Sequence, residues 1–271
     1  MATSAADVKR LRDETDAPMM ECKAALDEAG GDYARAKEIL REKGKAAAGK
    51  KAGRATGAGV VAFSANADRT VVGAVVVECE TDFVSGNEGY VEMAQAVADW
   101  VRDNEPGVVS ENAHLKALSD EIVAKFRENV QVAQAYRITS DSPIAFYTHH
   151  NKAKGALVLS EGEGAGSEAV RKVAVQIVSL PPEVTTKGEL SQEALDAELA
   201  IETKRAIDEG KPEAIAKNIA QGRINKEFIK RVVLLEQPFY ADPSKSVEQY
   251  LAETSKGTKV TGFRYLHVGQ V

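Results

Sequence analysis

The sequence contains little cysteine and no long apolar run. Its two cysteines, Cys22 and Cys79, do not form a CxxC pair, which excludes a disulfide framework and an ordinary zinc site and predicts a reducing compartment. No apolar run approaches the roughly 18 residues of a membrane span, and the first residues lack the apolar core of a signal peptide. We therefore expect a cytoplasmic protein with no membrane contact, no metal and no cofactor.

Motifs for catalysis and nucleotide binding are also missing. There is no GxxxxGK[ST], no GxSxG and no HExxH, so we expect no direct nucleotide binding, acyl transfer or zinc hydrolysis. The segment GEGAGS at 162–167 fails as a dinucleotide loop because Ser167 replaces the third glycine, and Glu161 and Glu163 would repel a pyrophosphate. These absences predict that the protein is not an enzyme, although its 41 acidic residues leave a hydrolase with an unrecognised carboxylate pair as an alternative.

The charges and composition fit a globular protein that binds other proteins. The 271 residues are 44% hydrophobic, which suffices for a substantial core. There are 35 Lys and Arg against 41 Asp and Glu, a formal net charge of -6, which argues against nucleic acid as the main partner. Residues 41–54 depart from this balance, with six cations and one anion. We interpret the small, basic residues 45–59 as a linker.

Residues 1–44 have the pattern of a head made of three short helices. Pro18 suits the first turn of the second helix, Gly30 its end, and Gly44 the end of the third. A bundle of this size has a small core, so part of its apolar surface is expected to contact a partner. Met19 and Met20 are the candidates for that contact, but they would fit equally well as plugs of the bundle.

An internal repeat dominates the rest of the chain. The segments 61–77 and 144–159 each predict a β-hairpin with nearly equal spacing, and an apolar-faced helix follows each one. Further strands are expected at 130–138, 232–239 and 260–268. The fold class is therefore α+β: a three-helix head, then a duplicated core of two subdomains, each an antiparallel sheet with helices on one face.

Residues 190–229 predict an antiparallel helical hairpin inserted into the second subdomain. Leu195, Leu199 and Ala206 recur at heptad-like spacing, and Ile215 and Ile219 answer them after a break at Gly-Lys-Pro. The expected division is thus a head at 1–44, a linker at 45–59, one subdomain at 60–140, and a second at 141–189 and 230–271 around the hairpin.

The most informative stretch is VECETDFVSGN at 77–87. A β-run reaches a turn at Thr81-Asp82, where both side chains can bond the local backbone, and then presents Phe83 and Val84 before a glycine and a helix. An aromatic residue at such a tip can be an exposed anchor for a partner's pocket. The pattern alone favours a core position for Phe83 over an exposed one.

Four segments together resemble the bacterial elongation factor Ts family, the guanine-nucleotide exchange factors of elongation factor Tu. They are LRDETDAPMMECKAAL near the start, VECETDFVSGNEGY, and the late segments EQPFYADPSKSVEQYL and VTGFRYLHVG. The resemblance spans essentially the whole length. It implies a head like a ubiquitin-associated bundle, a core of two similar subdomains and elongation factor Tu, GDP-bound or nucleotide-free, as the partner.

The resemblance also implies roles for individual residues. The family's exchange wedge is matched by four residues that we call the wedge segment: Thr81, Asp82, Phe83 and Val84. Asp82 and Phe83 are expected to enter the GTPase domain of Tu beside its magnesium and phosphate site. The motif of the head is matched by Leu11, Arg12, Thr15, Met19, Met20, Cys22 and Lys23, of which Arg12, Met19, Met20 and Lys23 are the expected contacts. A family histidine in a strand of the second subdomain is matched by His149, for which His150 competes.

One departure and one competing function remain. Many family members continue past the final strand into a further helical module, whereas this sequence ends at Val271, so we expect any contact from that module to be missing. The competing function is a non-catalytic adaptor that binds another protein through its helical head. It predicts binding without faster GDP release.

Overall fold

The N-terminal head consists of three helices in a computed structural model that describes residues 4–15, 17–51 and 53–269. They are α1 (Ala5–Thr15), α2 (Met19–Glu28) and α3 (Tyr33–Lys51). Small and aliphatic side chains from all three helices and the first connection form a single core: Val8, Leu11, Ala17, Cys22, Ala25, Leu26, Ala36, Ile39 and Leu40. The predicted three-helix head is therefore confirmed.

Helix α3 is longer than its sequence predicts. It was expected to end at Gly44 but continues to Lys51, so the first part of the predicted 45–59 linker is helical. The reason is tertiary packing: a Cβ at Gly44 would lie 2.7 Å from the Cβ of Ala124, on a helix of the core. Glycine permits this close approach, and the packing outweighs the low helix propensity of glycine.

The first subdomain is a three-stranded antiparallel sheet with helices on one face. Its strands are β1 (Ala58–Ala65), β2 (Val71–Cys79) and β3 (Val130–Thr139), in the order β1-β2-β3. The helices are the one-turn α4 (Asp82–Ser85), then α5 (Glu88–Asp103) and α6 (Ala113–Phe126). Tyr90, in the first turn of α5, is fully buried in the core of this subdomain, and its hydroxyl donates to the Val77 carbonyl oxygen at 3.1 Å.

The second subdomain repeats this plan. Its sheet has the order β4-β5-β8, formed by β4 (Ala145–Thr148), β5 (Lys154–Glu161) and β8 (Lys259–His267). Helix α7 (Glu168–Ser179) covers it, together with α11 (Val247–Thr254) and the short hairpin of β6 (Pro238–Phe239) and β7 (Asp242–Ser246). The α+β class and the repeated hairpin-and-helix unit are confirmed.

The two sheets pack on each other through the faces that their helices leave free. Val61 and Phe63 of the first sheet share a core with Leu157 and Leu266 of the second. The approach is close at Gly155, where a Cβ would lie 2.6 Å from the Phe63 ring. This packing explains the continuous apolar runs of β1, β2 and β5, because these strands are buried on both faces.

An antiparallel helical hairpin follows α7, as the sequence predicts. It comprises α8 (Gln192–Asp208) and α9 (Glu213–Arg223), which continues through a π-helical turn (Ile224–Phe228) into α10 (Ile229–Val232). The expected seam is only partly right, since Ile215 is exposed and its place is taken by Ala216 and Ala220. Small side chains bring the two helices closer than isoleucine would allow.

The strand expected at 232–239 is wrong. The chain instead ends α10 at Val232, makes a 3-10 turn (Leu234–Glu236) and pairs only at Pro238–Phe239. The buried Gln237 amide donates to the carbonyl oxygens of Leu180 and Arg231, at 3.0 and 2.8 Å. Side-chain hydrogen bonds thus satisfy buried backbone groups that a sheet ladder would otherwise serve.

Candidate functional site

The wedge segment forms a one-turn helix at the end of β2. Thr81 is the N-cap of α4, and its Oγ1 accepts from the Val84 backbone N–H at 3.4 Å. Val84 is half-buried against the core of the first subdomain, whereas Asp82 is exposed and Phe83 is 88% exposed. The structure thus decides between the two interpretations of Phe83: it lies at the surface and is not a core residue.

The segment is held from both sides. On one side, Asn87 caps α5 by accepting from the Gly89 backbone N–H at 2.9 Å, so α5 begins directly after the turn. On the other, Glu128 accepts from the Thr81 backbone N–H at 2.9 Å and from Thr81 Oγ1 at 2.6 Å. The buried Cys79 thiol donates to the Thr81 carbonyl oxygen at 3.2 Å, and burial raises the pKa of this thiol.

Glu128 is a functional candidate that the sequence analysis missed. It precedes β3 and is separated from Thr81 by 47 positions, so no local pattern connects the two. The adjacent Asn129 backbone N–H donates to Glu80 Oε1 at 2.6 Å. Glu128, before β3, therefore binds the backbone after β2, and Glu80, after β2, binds the backbone before β3.

The head residues at the start of α2 are exposed. Met19 is 50% and Met20 73% exposed, while Cys22 behind them is buried in the head core. The alternative in which both methionines plug the bundle is therefore wrong. Arg12 and Lys23 are also exposed. The four predicted head contacts thus form part of the head's outer surface.

Arg127 connects the head with the wedge segment. Its guanidinium pairs with the Glu21 carboxylate on α2, and its backbone carbonyl oxygen accepts from Lys51 Nζ. Because Arg127 directly precedes Glu128, the head and Thr81 are attached to consecutive residues of one loop. The structure therefore brings two of the predicted groups, the head and the wedge, to the same region of the molecule.

A groove of about 700 Å³ opens beside the wedge segment. It is lined by Gly86, Asn87, Glu88, Gly89, Lys125 and Phe126. The exposed Phe83 side chain precedes the groove-lining residues along the chain. An aromatic tip next to an open groove is a shape that a helix or loop of another protein can cover.

His149 belongs to the second subdomain and lies after the end of β4, not within the strand that the resemblance implies. It is in the turn after β4, where its Nδ1 lies 3.2 Å from the Tyr147 hydroxyl and its ring centroid 4.2 Å from that of His150. Both histidines are in the turn and not in the strand. The rings are therefore adjacent, with His150 the more exposed.

Residues 4–15, 17–51 and 53–269 contain neither a metal-binding cluster nor a membrane-spanning helix. No group of three or more His, Cys, Asp or Glu side chains there could hold a metal ion. No helix within those ranges has the length and apolar composition needed to cross a membrane.

Comparison with known proteins identifies the family. The family model described as Elongation factor TS matches residues 80–270, a range that includes the whole wedge segment. Elongation factor Ts of Thiobacillus denitrificans is 38% identical over 275 residues, covering 98% of this chain and 92% of that protein. Elongation factor Ts of Aquifex aeolicus is 34% identical over 287 residues, covering 99% of each chain. This chain belongs to the elongation factor Ts family and is a translation elongation factor.

Proposed function

We propose that this protein is the guanine-nucleotide exchange factor of elongation factor Tu and that the wedge segment is its active element. The observation that carries the proposal is Phe83, which is 88% exposed at the tip of a capped turn. An aromatic ring kept in water by a rigid turn is unfavourable unless a partner covers it. The family relationship supports Tu as that partner.

The proposed mechanism makes and breaks no covalent bond. Asp82 and Phe83 enter the GTPase domain of Tu beside the magnesium and phosphate site, disturb magnesium coordination and loosen the phosphate loop. GDP then leaves and GTP binds. The exchange factor lowers the affinity of Tu for GDP by a coupling free energy, and GDP weakens the binding of the exchange factor by the same factor.

The size of this coupling requires more than one contact. A ten-thousandfold loss of GDP affinity corresponds to about 5.5 kcal/mol of differential binding. Burial of one phenylalanine supplies roughly 1.5–3 kcal/mol. The remainder is assigned to Asp82 and to the surfaces that hold the wedge in place. These are the exposed Met19 and Met20 of the head and the region of His149 on the second sheet.

Stopped-flow release of a fluorescent GDP from Tu of the same organism tests the proposal. We expect the unaltered protein to accelerate release at substoichiometric amounts, without being consumed and without hydrolysing nucleotide. The Asp82→Ala variant should lose most of the acceleration. Fractionation of cells should place the protein in the cytoplasm with Tu.

The adaptor function is the competing proposal, and the exposed Met19 and Met20 favour it. An adaptor would bind Tu, or another protein, through the head and leave the rate of GDP release unchanged. The same stopped-flow experiment therefore separates the two functions. Binding without acceleration would contradict nucleotide exchange.

A further inference from the structure

The loop of residues 127–129, between α6 and β3, is joined to the start of the wedge segment by two carboxylates, one from each side. Glu128 takes both polar hydrogens of Thr81, with its two oxygens at 2.9 Å from the backbone nitrogen and 2.6 Å from the hydroxyl. In the opposite direction, Glu80 accepts from the Asn129 backbone N–H at 2.6 Å. Hydrogen bonds to ionised carboxylates are short, strong and directional. The loop and the end of β2 are thus fastened to each other.

This attachment controls a turn that has little support of its own. Helix α4 is only four residues long, too short to be stable in isolation. Its N-cap is Thr81, whose hydroxyl donates to Glu128 and accepts from the Val84 N–H. Since Phe83 is 88% exposed, packing restrains it little. The direction of Phe83 therefore depends on how Thr81 is held, together with the packing of Val84 against the core.

The conformation of Arg127 shows that the loop itself is fixed. Arg127 has φ 61°, in the left-handed region where a helix ordinarily ends on glycine. A large side chain at such a position needs compensating contacts. Arg127 has them, because its guanidinium pairs with Glu21 of the head and its carbonyl oxygen accepts from Lys51. The head thus helps to fix the loop that carries Glu128.

We propose that Glu128 is a positioning residue for nucleotide exchange: it orients the wedge segment through Thr81 before the protein meets its partner. This inference rests on the proposed function. Glu128 acts through Thr81 of its own chain. The proposal does not place it against the nucleotide or the partner. Its loss should therefore impair the step in which the wedge acts and leave the initial encounter with the partner intact.

Stopped-flow GDP release from Tu at a series of exchange-factor concentrations tests this division. We expect Glu128→Ala to lower the maximal rate about tenfold or more, because it removes both hydrogen bonds between Thr81 and the Glu128 carboxylate. The concentration that gives half the maximal rate should change less than twofold. Glu128→Gln keeps one acceptor oxygen and should recover part of the rate. Glu111→Ala, which removes an exposed carboxylate from the loop before α6, is the matched control and should behave like the unaltered protein.

Hydrogen exchange of the backbone amides of residues 82–86 in the isolated protein provides a readout that does not depend on activity. Glu128→Ala should accelerate exchange there, whereas Glu111→Ala should not. Either a full maximal rate or unchanged protection in Glu128→Ala would overturn the inference. An equal fall in the maximal rate and rise in the half-saturating concentration would also overturn it, because such changes would indicate general structural damage.

The outcomes also separate this inference from the proposed function. If the unaltered protein does not accelerate GDP release, nucleotide exchange is contradicted, and the protection of residues 82–86 still decides whether Glu128 orders the turn. If the unaltered protein accelerates release and Glu128→Ala does so equally well, only the positioning role is contradicted.

Discussion

Truncation of Phe83 to alanine should separate nucleotide exchange from both folding and encounter. In the free protein the ring is 88% exposed, so its removal should change the free energy of unfolding by no more than about 0.5 kcal/mol. In the proposed complex the ring is buried in Tu, which contributes roughly 1.5–3 kcal/mol. If that contact forms only as GDP is loosened, its loss slows GDP release by about 10- to 150-fold.

The assay is GDP release from Tu over a range of exchange-factor concentrations, which gives a maximal rate and a half-saturating concentration. We expect the maximal rate of Phe83→Ala to fall within the stated range, while the half-saturating concentration changes less than threefold. Thermal unfolding of the free variant should show nearly the same midpoint as the unaltered protein. Ile201→Ala is a suitable control, because it also truncates an exposed apolar side chain, 59% exposed on α8.

Two results would refute this reasoning. An unchanged maximal rate with a raised half-saturating concentration would show that Phe83 serves binding alone and not the exchange step. A fall of the unfolding free energy by more than about 1 kcal/mol would contradict the exposed position from which the magnitude was worked.

Three further predictions concern the head, the core and their junction. Met20→Ala should raise the half-saturating concentration severalfold without lowering the unfolding midpoint, since Met20 is 73% exposed; an unchanged concentration would remove it from the interface. Burial raises the pKa of Tyr90 above its usual 10, so its contribution to stability is complete below about pH 10 and is lost as the pH rises further. Urea unfolding at pH 8 and 10.5 checks this. Between the two pH values the free energy of unfolding should fall by about 0.8 kcal/mol less in Tyr90→Phe than in the unaltered protein. Gly44→Ala should destabilise the protein by about 1 kcal/mol or more despite the better helix propensity of alanine, because its Cβ would lie 2.7 Å from that of Ala124. The control Gly222→Ala on α9 meets no atom within 4 Å and should stabilise. Stabilisation by both variants would contradict the packing of α3 on the core.

The parts of the fold that follow from local pattern were predictable. Strands β3 and β8 lie within one residue of their expected bounds, and both hairpins of the repeat are where the periodicity indicates. Helix α3 and the 232–239 segment differ because their conformations depend on distant contacts. Gly44 packs on α6, and Gln237 bonds the chain at Leu180. The boundaries of the predicted domains stay predictions.

The identities of the candidate site residues stay predictions, and their exposure could not be predicted from the sequence. The resemblance to a family named the wedge segment and the head contacts, but periodicity could not decide whether Phe83 or Met20 faces the core. The structure decides: Val84 is half-buried against the core, whereas Phe83 is exposed. Glu128 was beyond reach, since a carboxylate beside a strand is ordinary in sequence and acquires meaning only when Thr81 lies 2.6 Å away.

An ordered wedge is also required by the free energies involved. Fixing the backbone of one residue costs about 1–2 kcal/mol, so ordering the four residues of α4 on contact with a partner would cost about 4–8 kcal/mol. That exceeds the roughly 1.5–3 kcal/mol that burial of Phe83 can return. A flexible wedge would therefore gain nothing by docking. Because Glu128 and the Thr81 cap order the turn during folding, most of this entropy is lost before the partner is met, and the burial of Phe83 remains available for displacing the nucleotide.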